Sequence, residues 1–249
     1  MNYYLIKELV KTEFKLKYYG SILGFFWSLL KPFLMLGILY FVFTYFLKTG
    51  IDKYALFLLL GITLWNYFLD TSYDSINSIT SKKELLTKTK LSPSTLVITS
   101  AIHNAISLLL NLIVFFIIFF LGGNTLGFSA LYFIFLLGIL FLITTSISVV
   151  IIQLHVRFTD FKHIWDVITQ MGFWVTPIVY GISHVSLEFQ RWFLLNPFAR
   201  IIIDSRRVIL DGTLPDIKQI LITIALTLII CIIAYYINKK NKQKIADLL

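Results

Sequence analysis

Asp166, Thr169, Phe173, Thr176 and Tyr180 follow one another at steps of three or four residues. A helix through 164–180 therefore presents them on one face, with Gln170 and Trp174 beside them. Trp165, Ile168, Gly172, Val175 and Val179 make the opposite, apolar face. The first stripe mixes hydroxyls, an amide and aromatic rings. Rings offer their π-faces to the C–H surfaces of sugars, and hydroxyls and amides add hydrogen bonds. That is the chemistry of a water-containing conduit for something bearing sugar rings. Phe26, Phe33 and Tyr40 recur on a similar face nearer the N-terminus, together with Leu30, Gly37 and Thr44. For that face ordinary helix packing is an equal reading.

Bond-breaking chemistry has no comparable support. The chain carries no phosphate-binding glycine loop, no nucleophile elbow and no metal-ligand pattern, so no catalytic residue or metal is expected and the chain has no visible means of hydrolysing ATP itself. The four histidines stand apart, and the single Cys231 excludes an internal disulfide. Asp70, Asp74 and Asp166 form no catalytic pair. Acids at such depth mark a transport pathway or a buried ion pair.

The elements that position these residues follow from composition. Hydrophobic residues make up 58% of the 249 and charged residues 14%, with a mean hydropathy of +0.83. This is the profile of an all-α integral membrane protein with one domain, 1–249. The net charge of +9 comes from lysines flanking apolar spans, so membrane lipids rather than nucleic acid are the partners it implies. Residues 1–20 have charges throughout and no apolar core, so they are no cleavable signal. They read as an amphipathic helix with Lys7, Lys11 and Lys15 on one side and Leu5, Ile6, Leu9, Val10 and Leu16 on the other. Such a helix lies in the membrane interface or packs on a protein partner.

Six spans are expected within 25–237: 25–47, a second from 54, 94–121, 131–154, 164–180 and 217–237. The second span has a hydrophilic face of Thr63, Asn66, Asp70, Asp74 and Asn77. The third carries Ser100, Asn104, Ser107 and Asn111, read as helix–helix hydrogen bonding. Lys31 near the start of the first span can snorkel to the surface. Residues 183–216 are too polar to span and too apolar for a free loop. They break at Leu195-Asn196-Pro197 and restart as an amphipathic helix, with Asn196 as N-cap, Pro197 at its first position and Asp211-Gly212 as the stop. The arrangement reads as re-entrant gate helices folded back between spans five and six. A basic tail, 238–249, ends the chain. With the N-terminus inside, Lys and Arg number five up to and including Lys31, four in 82–90, two in 155–163 and four in the tail. The outer segments hold two and five. Both termini are therefore expected in the cytoplasm.

Several stretches resemble one family when taken in order. They are Leu16-Lys17-Tyr18-Tyr19-Gly20-Ser21-Ile22-Leu23-Gly24, Trp27-Ser28-Leu29-Leu30-Lys31-Pro32, Gly61-Ile62-Thr63-Leu64-Trp65-Asn66-Tyr67-Phe68 and Leu91-Ser92-Pro93. Val156-Arg157-Phe158-Thr159-Asp160, Phe173-Trp174-Val175-Thr176-Pro177-Ile178-Val179-Tyr180 and Leu195-Asn196-Pro197 complete the set. Together they resemble the permease subunit of polysaccharide ABC exporters, the type-2 class that moves lipid-linked O-antigen, capsule or teichoic acid. The resemblance implies a homodimeric channel in the bacterial inner membrane, with two copies of a separate subunit that binds ATP and Mg. It implies a polyprenyl-diphosphate-linked polysaccharide as cargo and no cofactor on this chain. It places Lys82, Lys83, Glu84, Lys88 and Lys90, with Arg157 and Asp160, against that ATPase. It also places Trp192, Asn196, Pro197, Arg200 and Arg207 in the outer gate, where Arg200 can pair with Asp204 and the arginines can meet a diphosphate or anionic headgroups. Lys31 departs from the family, which commonly has Asn before this proline. Two further readings stay open: a membrane enzyme acting on a polyprenyl-linked sugar, and a small-drug or ion exporter of the same superfamily.

Overall fold

The computed structural model describes residues 3–24, 26–46, 48, 50–84, 86 and 92–248. Among them every regular element is helical. In chain order these are α1 (Tyr3–Tyr18), α2 (Phe26–Phe41, widening into a π-helical turn at Val42–Phe46), α3 (Tyr54–Ser81), α4 (Pro93–Leu121), α5 (Leu131–Arg157), α6 (Phe161–Val175), α7 (Leu187–Phe193), α8 (Pro197–Ile209) and α9 (Ile217–Leu248). Short 3-10 turns, Phe128–Ala130 and Ile182–His184, precede α5 and α7.

Five helices among the described residues are long and apolar enough to cross a bilayer: Phe26–Phe46, Tyr54–Ser81, Pro93–Leu121, Phe128–Arg157 and Ile217–Lys240. The expected span 164–180 is not a sixth of that kind. Helix α6 stops at Val175 after 15 residues, about 22 Å against a hydrocarbon core of about 30 Å. Its stop lies at Thr176-Pro177. The ring of Pro177 disfavours a helical residue before it and has no N–H to continue the ladder.

Side-chain contacts nevertheless sort the connections to two ends. At one end the Tyr54 hydroxyl donates to Val179 O (2.7 Å) and Ser129 Oγ donates to Val208 O (3.0 Å). At the other, Lys82 meets Glu13, Lys162 Nζ donates to Asn77 Oδ1 (3.2 Å), and Gln153 Nε2 donates to Asn238 Oδ1 (3.2 Å). Helix α6 therefore carries the chain from one end toward the other, and irregular backbone finishes the passage.

Helix α3 is the axis. Leu58, Leu59, Leu60, Ile62 and Leu64 are all fully buried, because α2, α4, α5, α6 and α8 surround it. Helix α2 buries only Pro32 and Leu39, and α9 leaves Leu221, Leu228, Ile229, Ile232 and Ile233 exposed. Part of the apolar side of α1 packs into the protein: Ile6 and Leu9 are buried, and Leu9 shares a core with Ile79, Leu86, Leu96, Val97, Val149 and Ile152. Lys7, Lys11 and Lys15 stay exposed.

Candidate functional site

Helix α6 turns its hydroxyl stripe inward. Trp165 Nε1 donates to Ser72 Oγ (3.0 Å). The Thr169 hydroxyl donates to Trp165 O (2.9 Å) and so accepts from the Tyr73 hydroxyl (2.8 Å). Ile164, Val167, Ile168, Met171 and Val175 lie on the exposed side. Between α2, α3 and α6 runs an open groove of about 770 Å³. Trp27, Lys31, Leu34 and Ile38 line it from α2, Trp65, Asn66 and Tyr73 from α3, and Thr169, Gln170, Phe173 and Trp174 from α6. Trp65 meets Phe173 edge-on at 6.4 Å, and Trp27 and Trp174 are half exposed.

The groove gathers only some of the residues that the sequence singles out. Thr169 and Phe173 line it. Asp166 stands about one turn away, its carboxylate 4.0 Å from His163 Nδ1. On α2 the lining stripe begins at Trp27, one residue round from the expected Phe26, Phe33 and Tyr40. Phe26 is exposed outside the groove and Phe33 packs on the main core. Tyr40 stacks on Tyr54 (6.2 Å) in a separate cavity at the far end of α2. Thr176 is buried and Tyr180 lies beyond the helix, so the five-residue stripe does not continue through them. Val175 and Val179 do not share a face either: the first is half exposed and the second buried.

Beyond α6, the turn 176–180 is held by side chains from three directions. Arg206, fully buried on α8, donates from Nη1 to Pro177 O (2.6 Å), from Nη2 to Ile178 O (2.6 Å) and from Nε to Phe57 O (3.0 Å). Its guanidinium carbon sits 3.4 Å from the centre of the Phe57 ring. Tyr54 takes Val179 O (2.7 Å), and the Tyr180 hydroxyl donates to Trp174 O (2.8 Å). Buried non-helical backbone must be satisfied within the protein, and these donors do so. Burial pushes Arg206 down to about 9, so it stays cationic at neutral pH. Asn196 ties the two breaks together. Its Oδ1 accepts from Phe198 N (3.0 Å), the expected N-cap ahead of Pro197, and its Nδ2 donates to Thr176 Oγ1 (3.0 Å).

Arg206 was not singled out by the sequence, although it shares the buried face of Ile202 and Ile209, where a cation is unusual. Of the arginines that were, Arg200 donates from Nε to Leu194 O and Arg207 from Nη1 to Gln219 Oε1 (2.9 Å). The expected Arg200–Asp204 ion pair is not formed within 4 Å. Burial pushes the Asp204 carboxyl up to about 6, against the pull of Arg207 and Arg200. Trp192 is exposed on α7.

At the opposite end the hydrophilic face of α3 is met by lysines. Lys17 Nζ reaches Asp74 Oδ2 (2.9 Å) and Asn104 Oδ1 (3.0 Å), while Asn104 Nδ2 donates to Asp74 (2.9 Å). Lys31 lies 3.5 Å from Asp70. Asp70 and Asp74 are thus each paired with a lysine. Lys82, expected against the ATPase, forms a largely buried ion pair with Glu13. Burial raises the Glu13 carboxyl above its usual range, against the pull of Lys82. Lys83 and Glu84 continue helically after α3, whereas Lys88 and Lys90 lie outside the described residues. Arg157 ends α5, and Asp160 stands exposed at the N-terminus of α6.

Residues 4–209 match the profile of the ABC-2 type transporter family. Over 253 residues the chain is 24% identical to the O-antigen export system permease protein RfbA of Myxococcus xanthus, which covers 98% of this chain and 94% of that protein. Two Klebsiella pneumoniae proteins of the same name are each 25% identical over 246 residues, covering 98% and 95%.

Proposed function

The chain belongs to the ABC-2 type transporter family, and on that premise we propose that it is the membrane subunit of an ATP-driven exporter for a lipid-linked, O-antigen-like polysaccharide. It works as a homodimer in the bacterial inner membrane, with two copies of a separate ATP-binding subunit on the side of Lys82 and Arg157. Both termini face the cytoplasm. A reporter fused after Leu249 is then active only in the cytoplasm, and one inserted at Gly123 only outside; the reverse pattern overturns the orientation.

The observation that carries the reading is the groove. It sets indole and phenyl rings beside the amides of Asn66 and Gln170 and the hydroxyls of Tyr73 and Thr169. A moving polymer needs many weak contacts, because one tight site would stall it. Stacked rings with scattered hydrogen-bond partners supply contacts of about 1 kcal/mol each. Trp27 (48% exposed) and Trp174 (56% exposed) are the rings to test, since neither supports the core.

Trp27→Ala and Trp174→Ala should each lower surface polysaccharide about five-fold, and together roughly thirty-fold, normalised to inserted protein and intracellular polymer. Ile232→Ala, equally exposed on α9 and away from the groove, should be silent. Wild-type export in the double variant, or an equal loss from Ile232→Ala, would place the conduit elsewhere.

A further inference from the structure

A second and much smaller cavity, of about 40 Å³, lies between α2, α3 and α4. It has room for one or two water-sized species. Most residues lining it are polar although all three helices are apolar enough to cross a membrane. Thr63 and Asp70 line it from α3, Ser107 and Asn111 from α4, and Lys31 from α2. Thr63, Ser107 and Asn111 are only 3%, 8% and 6% exposed. Thr63 Oγ1, Ser107 Oγ and Asn111 Oδ1 nonetheless have no hydrogen-bond partner. The amide nitrogen of Asn111 donates to Ser107 O (2.8 Å) and Ser28 O (3.2 Å), so its oxygen is the atom left over. Buried polar atoms are nearly always paired, and three unpaired oxygens around one small hole call for a shared partner.

The chemistry of the wall narrows that partner. Hydroxyl, amide and carboxylate oxygens are hard ligands and select hard cations. Asp70 is the only carboxylate lining the cavity. Among the described residues no three of His, Cys, Asp and Glu converge as a metal site. One negative charge with neutral oxygens suits a single positive charge. We propose that the cavity binds a monovalent cation of the size of sodium, with Asp70 as the charged ligand and Thr63, Ser107 and Asn111 as neutral ones.

Lys31 makes the site a switch. Its ammonium lies 3.5 Å from Asp70, a long contact, and its side chain is 64% exposed. The same lysine lines the aromatic groove. A cation entering the cavity competes with this tethered ammonium for Asp70 and releases it towards the groove. Occupancy of the small cavity thereby sets whether the groove carries a free positive charge. The proposal stands on the cavity and does not require the groove to carry a polysaccharide.

The test uses the purified full-length protein in nanodiscs and needs no transport readout. Its thermal midpoint is titrated with NaCl against choline chloride at constant ionic strength. Sodium should raise the midpoint in a saturable way that choline does not reproduce. Asp70→Asn should abolish the sodium-specific rise. Ser107→Ala, a gentler change that keeps the ion pair, should move the half-effect to higher sodium. Lys31→Gln should move it the other way, by about five-fold, because the competing exposed ion pair is gone. That sign separates a ligand site from a structural polar cluster. Equal shifts with sodium and choline, a sodium effect that survives Asp70→Asn, or a Lys31→Gln variant needing as much sodium as wild type or more would each overturn the proposal.

Discussion

Arg206→Ala should remove the folded protein from the membrane. The guanidinium is the sole donor to the Pro177 and Ile178 carbonyls among the hydrogen bonds of the described residues, and it is fully buried with them. A buried carbonyl without a partner costs about 1–3 kcal/mol, and here two are stranded together, while the cation–π attraction to the Phe57 ring disappears as well. The sum, about 3–8 kcal/mol, is comparable to the whole stability of many folded domains. Arg206→Lys should rescue little, because one ammonium cannot reproduce a planar fork that meets two carbonyls and a third on α3. Gly61→Ala provides an independent approach to the same fork. A Cβ at Gly61 falls on Arg206 Nη2, with Ile178 Cγ2 also 3.4 Å away. That variant should insert but melt well below wild type. Arg207→Ala, which removes one hydrogen bond to Gln219, should melt within a few degrees of wild type. The measurement is the amount of monodisperse protein recovered in mild detergent, with its thermal midpoint. Wild-type recovery of Arg206→Ala would show that the turn 176–180 is held by something other than this fork.

How far these features could be read from the sequence depends on how local their causes are. The N-cap at Asn196 and the Pro197 start of α8 were legible, because capping is decided within three or four residues. So were the long helices, whose apolar length is a property of each segment alone. The stop of α6 ahead of Thr176-Pro177 was legible in the proline itself, and only the span drawn on to 180 counted the apolar residues beyond it. The α2 face missed by one residue for a different reason. Phe26 and Trp27 are both aromatic and that helix is apolar all round, so its period does not choose a side. The ion pairs were not legible at all. Lys17, Lys31 and Lys82 find partners 57, 39 and 69 residues away. Before the helices are packed, a lysine at a span end looks like one that snorkels. The contacts of α1 were hidden for the same reason: its apolar side fits a bilayer and a protein surface equally well, and Glu13–Lys82 and Lys17–Asp74 tie it to the bundle from far along the chain.

The Glu13–Lys82 pair yields the other large effect. Lys82→Ser leaves a buried carboxylate without its cation, and breaking such a pair from one side typically costs about 3–5 kcal/mol. Lys82 opens the 82–92 segment proposed to meet the ATPase, and Leu86 of that segment packs with Leu9 of α1. An undocked α1 would no longer brace the segment against α4. Lys82→Ser should therefore lower both the thermal midpoint and the export achieved per ATP hydrolysed. Charge exchange, Glu13→Lys with Lys82→Glu, should restore most of both, which a simple loss of helical structure would not allow. The pH dependence has a definite sign. Burial already raises Glu13, and Lys82 opposes that rise. Without the lysine the folded-state value climbs further above the unfolded one, so the variant gains stability as falling pH protonates Glu13. The deficit of Lys82→Ser relative to wild type should shrink as the pH is lowered from mildly alkaline to mildly acidic. A deficit that is constant across that range, or a charge-exchanged protein no better than the single variant, would mean that the pair is incidental and that Leu9 and Leu86 alone hold α1 in place.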